Sequence, residues 1–133
     1  MDRIIEKIEE KFGKMSQTRD NKHEFLGRNI LFKDKKVKIE MKKHIQKAIN
    51  DFDEGINRNT VKPVTSHHFH VRESKKLSEK RADNFHSVTV SLLFISRRCR
   101  FDIQTAIGFL TTRVSCSTED DWTKLRRALQ YLR

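Results

Sequence analysis

The chain has 133 residues, 29 of them Lys or Arg against 18 Asp or Glu, for a formal charge of +11. Its 36 Leu, Ile, Val and Phe residues exceed the roughly 20% below which chains stay disordered, so one domain with a thin core under a very polar surface is expected. Two cysteines, Cys99 and Cys116, suit neither a disulfide framework nor a cysteine zinc site, and no apolar run approaches the roughly 20 residues of a membrane span.

Met1-Asp2-Arg3 leads directly into an amphipathic pattern with no secretory hydrophobic segment, so the chain reads as soluble and intracellular, without a membrane partner. Ile4, Ile5, Ile8 and Phe12 fall on one helical face, and Gly13 is the stop of this first helix. From residue 14 to 41 the period changes. Phe25 to Phe32 reads as a bulky apolar strand, Lys33-Asp34-Lys35-Lys36 as a polar turn, and Val37, Ile39 and Met41 alternate with Lys38 and Glu40. The spacing predicts a β-hairpin, with room for an extra strand at Met15 to Arg19. Gly27 inside the first strand predicts a bulge or a close backbone approach.

Ile45, Ala48, Ile49 and Phe52 mark a second helix whose other face shows Lys42, Lys43 and Lys47. Residues 55 to 75 lack periodicity and hold the only proline, so they read as an extended connector. Phe85, Val88, Leu92, Ile95 and Cys99 follow a 3-4-3-4 spacing, and Val90, Leu93 and Phe94 widen that face, which predicts a well-buried helix. Arg97, Arg98 and Arg100 stand at its C-terminal end, where cations favour the helix dipole. Asp102 is placed to cap the next helix, with the stripe Ile103, Ala106, Ile107, Leu110 and Val114. Thr118, with Asp121 three residues on, is placed to cap the last one, with the stripe Trp122, Leu125, Leu129 and Leu132. Arg133 falls in mid-helix register, so the chain is expected to be cut rather than finished. The sum is an α+β fold: an N-terminal helix, a small antiparallel hairpin unit of two or three strands, then a helical bundle.

Candidate chemistry is sparse. His67, His68 and His70 are the residue type that most often ligates metal, and would make a small metal enzyme one reading. Zinc wants ligands converging tetrahedrally, often across a longer gap, and no cysteine or carboxylate lies close by, so a solvated polar loop is the expectation. Asp51, Asp53 and Glu54 at a helix end, and Glu119, Asp120 and Asp121 at a helix start, have structural reasons to be there. Cys99 lies on an apolar stripe, and Cys116 lies in a loop before a helix, where a nucleophile would still need a histidine brought in by the fold. With four glycines in all, a phosphate-cradling loop is not expected. No catalytic residue and no metal ligand is therefore assigned.

Charge is the stronger signal. Between Leu31 and Lys47 there are seven lysines against Asp34 and Glu40, a net of +5. A basic domain with a pI of about 10.0 has the electrostatic footprint of a nucleic-acid binder, because lysines and arginines release counterions from a polyphosphate. A solvated face is the default for such charge. Here two clusters and an aromatic-bearing hairpin point the same way.

The segment Phe85-His86-Ser87-Val88-Thr89-Val90-Ser91-Leu92-Leu93-Phe94-Ile95 resembles the Y-R-S-x-V-G-x-L-x-Y-L stretch of Ty1/copia-type retrotransposon reverse transcriptases. Cys99 to Ile103 is similar to T-R-P-D-I, Ser117 to Trp122 to P-T-x-x-H-W, and Arg126 to Arg133 to K-R-x-L-R-Y-L-K. Upstream, Phe25-Leu26-Gly27 matches F-L-G, and Met41 to Ile49 loosely matches Q-x-x-Y-I-x-K-x-L. Order and spacing hold over nearly the whole chain.

The resemblance implies that residues 1–41 are the end of the palm with a primer-grip hairpin, and that 42–133 are the thumb and the start of the connection. The metal-binding Y-V-D-D hairpin would lie before Met1, so this piece alone would be inactive and would need no cofactor, while the parent polymerase uses Mg²⁺. Its partners would be an RNA–DNA template–primer and the remaining polymerase domains. Phe25, Leu26, Gly27 and Arg28 would sit at the primer 3′ end, with Gly27 letting backbone approach the strand. Lys33, Lys35, Lys36, Lys42, Lys43, Lys47, Arg97 and Arg98 would hold phosphates and sugars irrespective of sequence.

The departures are specific. Val90 stands for glycine, Phe101 for proline, Asp121 for histidine, Arg28 for an apolar residue, and Phe85 and Phe94 for tyrosine. They imply a divergent lineage or a decayed copy. A stand-alone basic RNA-binding or interaction protein is the alternative reading.

Overall fold

Residues 2–133 are described by a computed structural model, and Met1, where the expected palm segment begins, lies outside them. Helix α1 spans Asp2–Phe12. It stops where predicted, at Gly13, whose φ of +85° suits a residue without a Cβ and whose N–H donates to the Glu9 carbonyl at 2.9 Å. Its apolar stripe is not buried: Ile4 is 63% exposed and Phe12 74%.

Three strands follow, β1 (Lys22–Phe25), β2 (Arg28–Lys33) and β3 (Lys36–Glu40), in an antiparallel meander of order β1-β2-β3. The expectation of a single strand over Phe25 to Phe32, bulged at Gly27, is corrected. Leu26 and Gly27 have φ of 50° and 75°, and they make a two-residue turn between β1 and β2. Asp34 and Lys35, at 50° and 58°, do the same between β2 and β3. Positive φ at both central residues gives the turn twist that matches twisted strands. The extra strand therefore lies at Lys22–Phe25, not at Met15 to Arg19.

The core sits among the helices: α2 (Lys42–Asn50), α3 (Glu79–Ser96), α4 (Gln104–Thr111) and α5 (Glu119–Leu132). The predicted stripes meet there. Met41, Ala48 and Phe52 pack with Phe85, Val88, Leu92 and Ile95, and with Ile103, Ile107, Leu110, Trp122, Leu125 and Leu129. Val90 does not join them and is 49% exposed. It stands two residues from both Val88 and Leu92, which is about 200° round a helix of 3.6 residues per turn. The connector is strapped to the start of α5: the Glu119 N–H donates to the Lys75 carbonyl at 2.9 Å and the Leu77 N–H to Ser117 at 3.1 Å.

Asp102 does not cap α4. It lies in a 3₁₀ turn at Phe101–Ile103, and its carboxylate takes a two-pronged pair of hydrogen bonds from Arg100 at 2.9 and 2.7 Å instead. Thr118 does cap α5: its hydroxyl accepts from the Asp121 N–H, and the Asp121 carboxylate accepts from the Thr118 N–H at 3.0 Å. Thr118→Ala removes one half of this box and should cost about 1–2 kcal/mol. Thr118→Ser should keep most of it. Denaturant midpoints of the two variants check this, and an unchanged Thr118→Ala midpoint would contradict the role.

Candidate nucleic-acid interface

The Leu26–Gly27 turn rests on α2. A Cβ built on Gly27 would stand 2.6 Å from Cε1 and 2.9 Å from Nε2 of His44, closer than atoms of a side chain tolerate. The glycine suits the turn by its positive φ, and a side chain in its place would have to displace the imidazole. His44 stacks in turn on Phe94 of α3, with ring centroids 5.9 Å apart and planes at 26°. The Arg98 guanidinium lies 3.8 Å from the Phe94 centroid, as a cation over a ring face. Turn, α2 and the end of α3 are so joined by one stack of flat groups. Sequence reading found Gly27, Phe94 and Arg98 separately but missed His44, which joins them. Nothing local in the sequence marks it.

Beside this stack lies a groove of about 250 Å³ lined by His44, Lys47, Val90 and Phe94. Val90 is half exposed there.

Apart from Arg97 and Arg98, which follow α3, the predicted site residues divide into two groups. Phe25, Leu26, Lys42, Lys43 and Lys47 are exposed near the Leu26–Gly27 end, and Arg28 is half-buried, with its guanidinium 5.7 Å from the Phe25 ring centroid. Lys33, Lys35 and Lys36 lie at the Asp34–Lys35 turn. The two turns flank the ends of β2, which for six residues puts them roughly 17 Å apart. Sequence order made these lysines one stretch, and the meander separates them.

Some of the charge is neutralised locally. Glu40 lies 2.6 Å from Lys38 and 3.4 Å from Lys42, and the Lys38 hydrogen bond holds its carboxyl below the usual range. Arg100 leaves the arginine cluster for Asp102, whose carboxyl is lowered to about 2, chiefly by those hydrogen bonds. Among the described residues no ion pair engages Lys43, Lys47, Arg97 or Arg98, so these keep their charge for a partner.

The histidine loop departs from expectation. His68 is not solvated but 0% exposed, wedged against Phe69 and Phe109 with ring centroids 5.1 and 5.7 Å away. Its Nε2–H donates to the Ala106 carbonyl at 3.1 Å. Burial lowers its pKa and keeps the ring neutral. His67 and His70 stay exposed. Among the described residues no three His, Cys, Asp or Glu side chains gather to hold a metal ion.

Of the two acidic sets, Glu54, Glu119, Asp120 and Asp121 are tied to cations. Glu54 binds Arg81 at 3.1 Å and Arg126 at 3.0 Å, Glu119 binds Arg81, and Asp120 binds Lys124 at 2.7 Å. The Cys99 thiol donates to the Ile39 carbonyl at 3.4 Å, which ties the end of α3 to β3. Cys116 is exposed in the 3₁₀ turn Val114–Cys116. No helix is long and apolar enough to cross a membrane among the described residues.

No protein-family model, curated protein or solved structure matches this chain.

Proposed function

We propose that this chain grips an RNA–DNA template–primer as the C-terminal part of a retrotransposon-type RNA-directed DNA polymerase. In this reading the catalytic carboxylates and their Mg²⁺ come from other parts of the parent enzyme. The observation that carries the reading is the stack of the Leu26–Gly27 turn, His44, Phe94 and Arg98, edged by the free charges of Lys43, Lys47 and Arg97. A rigid hairpin tip beside unpaired cations suits a surface that must position a strand end while contacting phosphates rather than bases. The ordered motifs of the C-terminal half point the same way. The exposed stripe of α1 and the apolar side chains of the sheet, Phe32 and Val37 among them, would be covered by the remaining polymerase domains.

The test is binding of the purified chain to a recessed RNA–DNA primer–template, to single strands and to blunt duplex, with heparin as competitor across a salt series. A preference for the recessed junction of roughly tenfold, about 1.4 kcal/mol, is expected to persist under heparin. Equal, heparin-sensitive binding to every substrate would overturn the grip and leave a generic polyanion surface, as in a stand-alone basic RNA-binding protein.

A further inference from the structure

A second basic site lies on different elements. A cavity of about 340 Å³ opens between the connector at residues 65–72 and α5. Arg72, Lys124, Arg126 and Arg127 line it, against one carboxylate, Asp120. Two of these cations already have partners. Lys124 pairs with Asp120 at 2.7 Å and donates to the His70 carbonyl at 2.6 Å, while Arg126 binds Glu54 at 3.0 Å. Arg72 and Arg127 have no ion pair among the described residues, and the Nε of Arg127 is buried without a hydrogen-bond partner.

His68 lines the same cavity. Its Nε2–H donates to the Ala106 carbonyl, and its Nδ1 is buried without a partner and out of reach of the cavity, since the side chain is 0% exposed. A ligand in the cavity thus meets Arg72 and Arg127, neither of them ion-paired among the described residues, beside the Asp120 carboxylate that Lys124 already holds. Guanidinium forks match phosphate oxygens in geometry and charge. The volume lies within the range of small-molecule sites, roughly 300–1,000 Å³, and a bare phosphate would leave most of it empty. His67, exposed on the same lining, offers a flat ring for a base.

We propose that this cavity binds a nucleoside monophosphate group, its phosphate held by Arg72 and Arg127 and its base set against the His67 ring. The group is either a free nucleotide or the 5′-phosphorylated end of a strand. None of the residues involved belongs to the hairpin–α2 surface, so the site stands or falls independently of the grip.

The experiment is calorimetric titration of the intact chain with AMP, adenosine, inorganic phosphate, and an RNA tetramer with and without a 5′-phosphate. AMP should bind, and adenosine and inorganic phosphate should bind at least tenfold more weakly. Arg72→Gln should weaken AMP binding about tenfold. Arg72 is exposed, so this variant tests the site without threatening the fold. Arg127→Gln should act likewise wherever its far-ultraviolet spectrum stays native, and Lys62→Gln is the charge-matched control outside the cavity. Tighter binding of the 5′-phosphorylated tetramer than of AMP, lost in Arg72→Gln, supports the strand end as the source. Binding of AMP alone supports a free nucleotide. Failure of AMP to bind at millimolar concentration overturns the proposal, and so does adenosine matching AMP, phosphate matching AMP, or Arg72→Gln behaving like Lys62→Gln.

Discussion

Trp122→Ala should lose about 3–5 kcal/mol, the usual cost of emptying a large aromatic site in a core. Trp122 is 1% exposed and stacks on Phe52 with centroids 4.5 Å apart and planes at 26°. The Arg81 guanidinium lies 4.4 Å from its centroid and is itself held by Glu54 and Glu119. The ring therefore joins three stretches of chain: the turn after α2, the first turn of α3 and the first turn of α5. Three effects are at stake, and their sizes rank them. The cation over the ring contributes about 0.5–2 kcal/mol, and each half-exposed ion pair around Arg81 about 0–1 kcal/mol. The cavity outweighs both. Against a total stability of about 5–15 kcal/mol for a domain, the alanine variant should lose a large share of its margin and unfold at a much lower urea concentration. Trp122→Phe should cost much less, because the indole Nε1 has no hydrogen-bond partner to lose. Glu54→Gln should cost under about 1 kcal/mol. Urea midpoints followed by far-ultraviolet circular dichroism give the ranking. A Trp122→Ala loss below that of Glu54→Gln would mean that the ion network, not the ring, holds these segments together.

The same ring shows what the sequence makes legible. Trp122, Leu125, Leu129 and Leu132 repeat at helical spacing, so their burial follows from periodicity alone, as does that of Phe85, Val88, Leu92 and Ile95. The capping box at Thr118 was legible because both partners lie within three residues. What could not be read depends on partners distant in the chain. The Leu26–Gly27 turn is flanked by bulky apolar residues that look like one strand, and only the meander with β1 reveals a reversal. His68 reads as loop until the Ala106 carbonyl, 38 residues later, accepts a hydrogen bond from its ring. Gly27 reads as a bulge or a close approach, and only the fold shows that the neighbour is His44. The α1 stripe shows the opposite limit: periodicity found the helix, but it could not say that Ile4 and Phe12 would lack a partner in this chain. For the candidate site, residue type gave the cations, and topology decided which of them stand together.

That division of the cations makes a sharp prediction. Replacing Lys42, Lys43 and Lys47 together by Gln should reduce the salt slope of primer–template binding by about 2 to 3, since each phosphate contact contributes roughly 0.9. Carried from molar to near-physiological salt, that slope is a loss of about 100-fold in affinity. Lys42 contributes least, because Glu40 already stands 3.4 Å from it. The matched triple Lys33, Lys35 and Lys36 to Gln removes the same charge at the other end of β2. If the Leu26–Gly27 end holds the primer terminus, the two triples must differ in kind. The first should lower affinity and also erase the preference for a recessed junction, because its lysines flank the turn that rests on His44. The second should lower affinity for duplex and junction alike and leave their ratio unchanged. Equal effects of both triples, with the ratio intact in each, would mean that charge acts only in sum. Sequence-independent attraction needs nothing more than the sum, whereas a primer grip needs the placement.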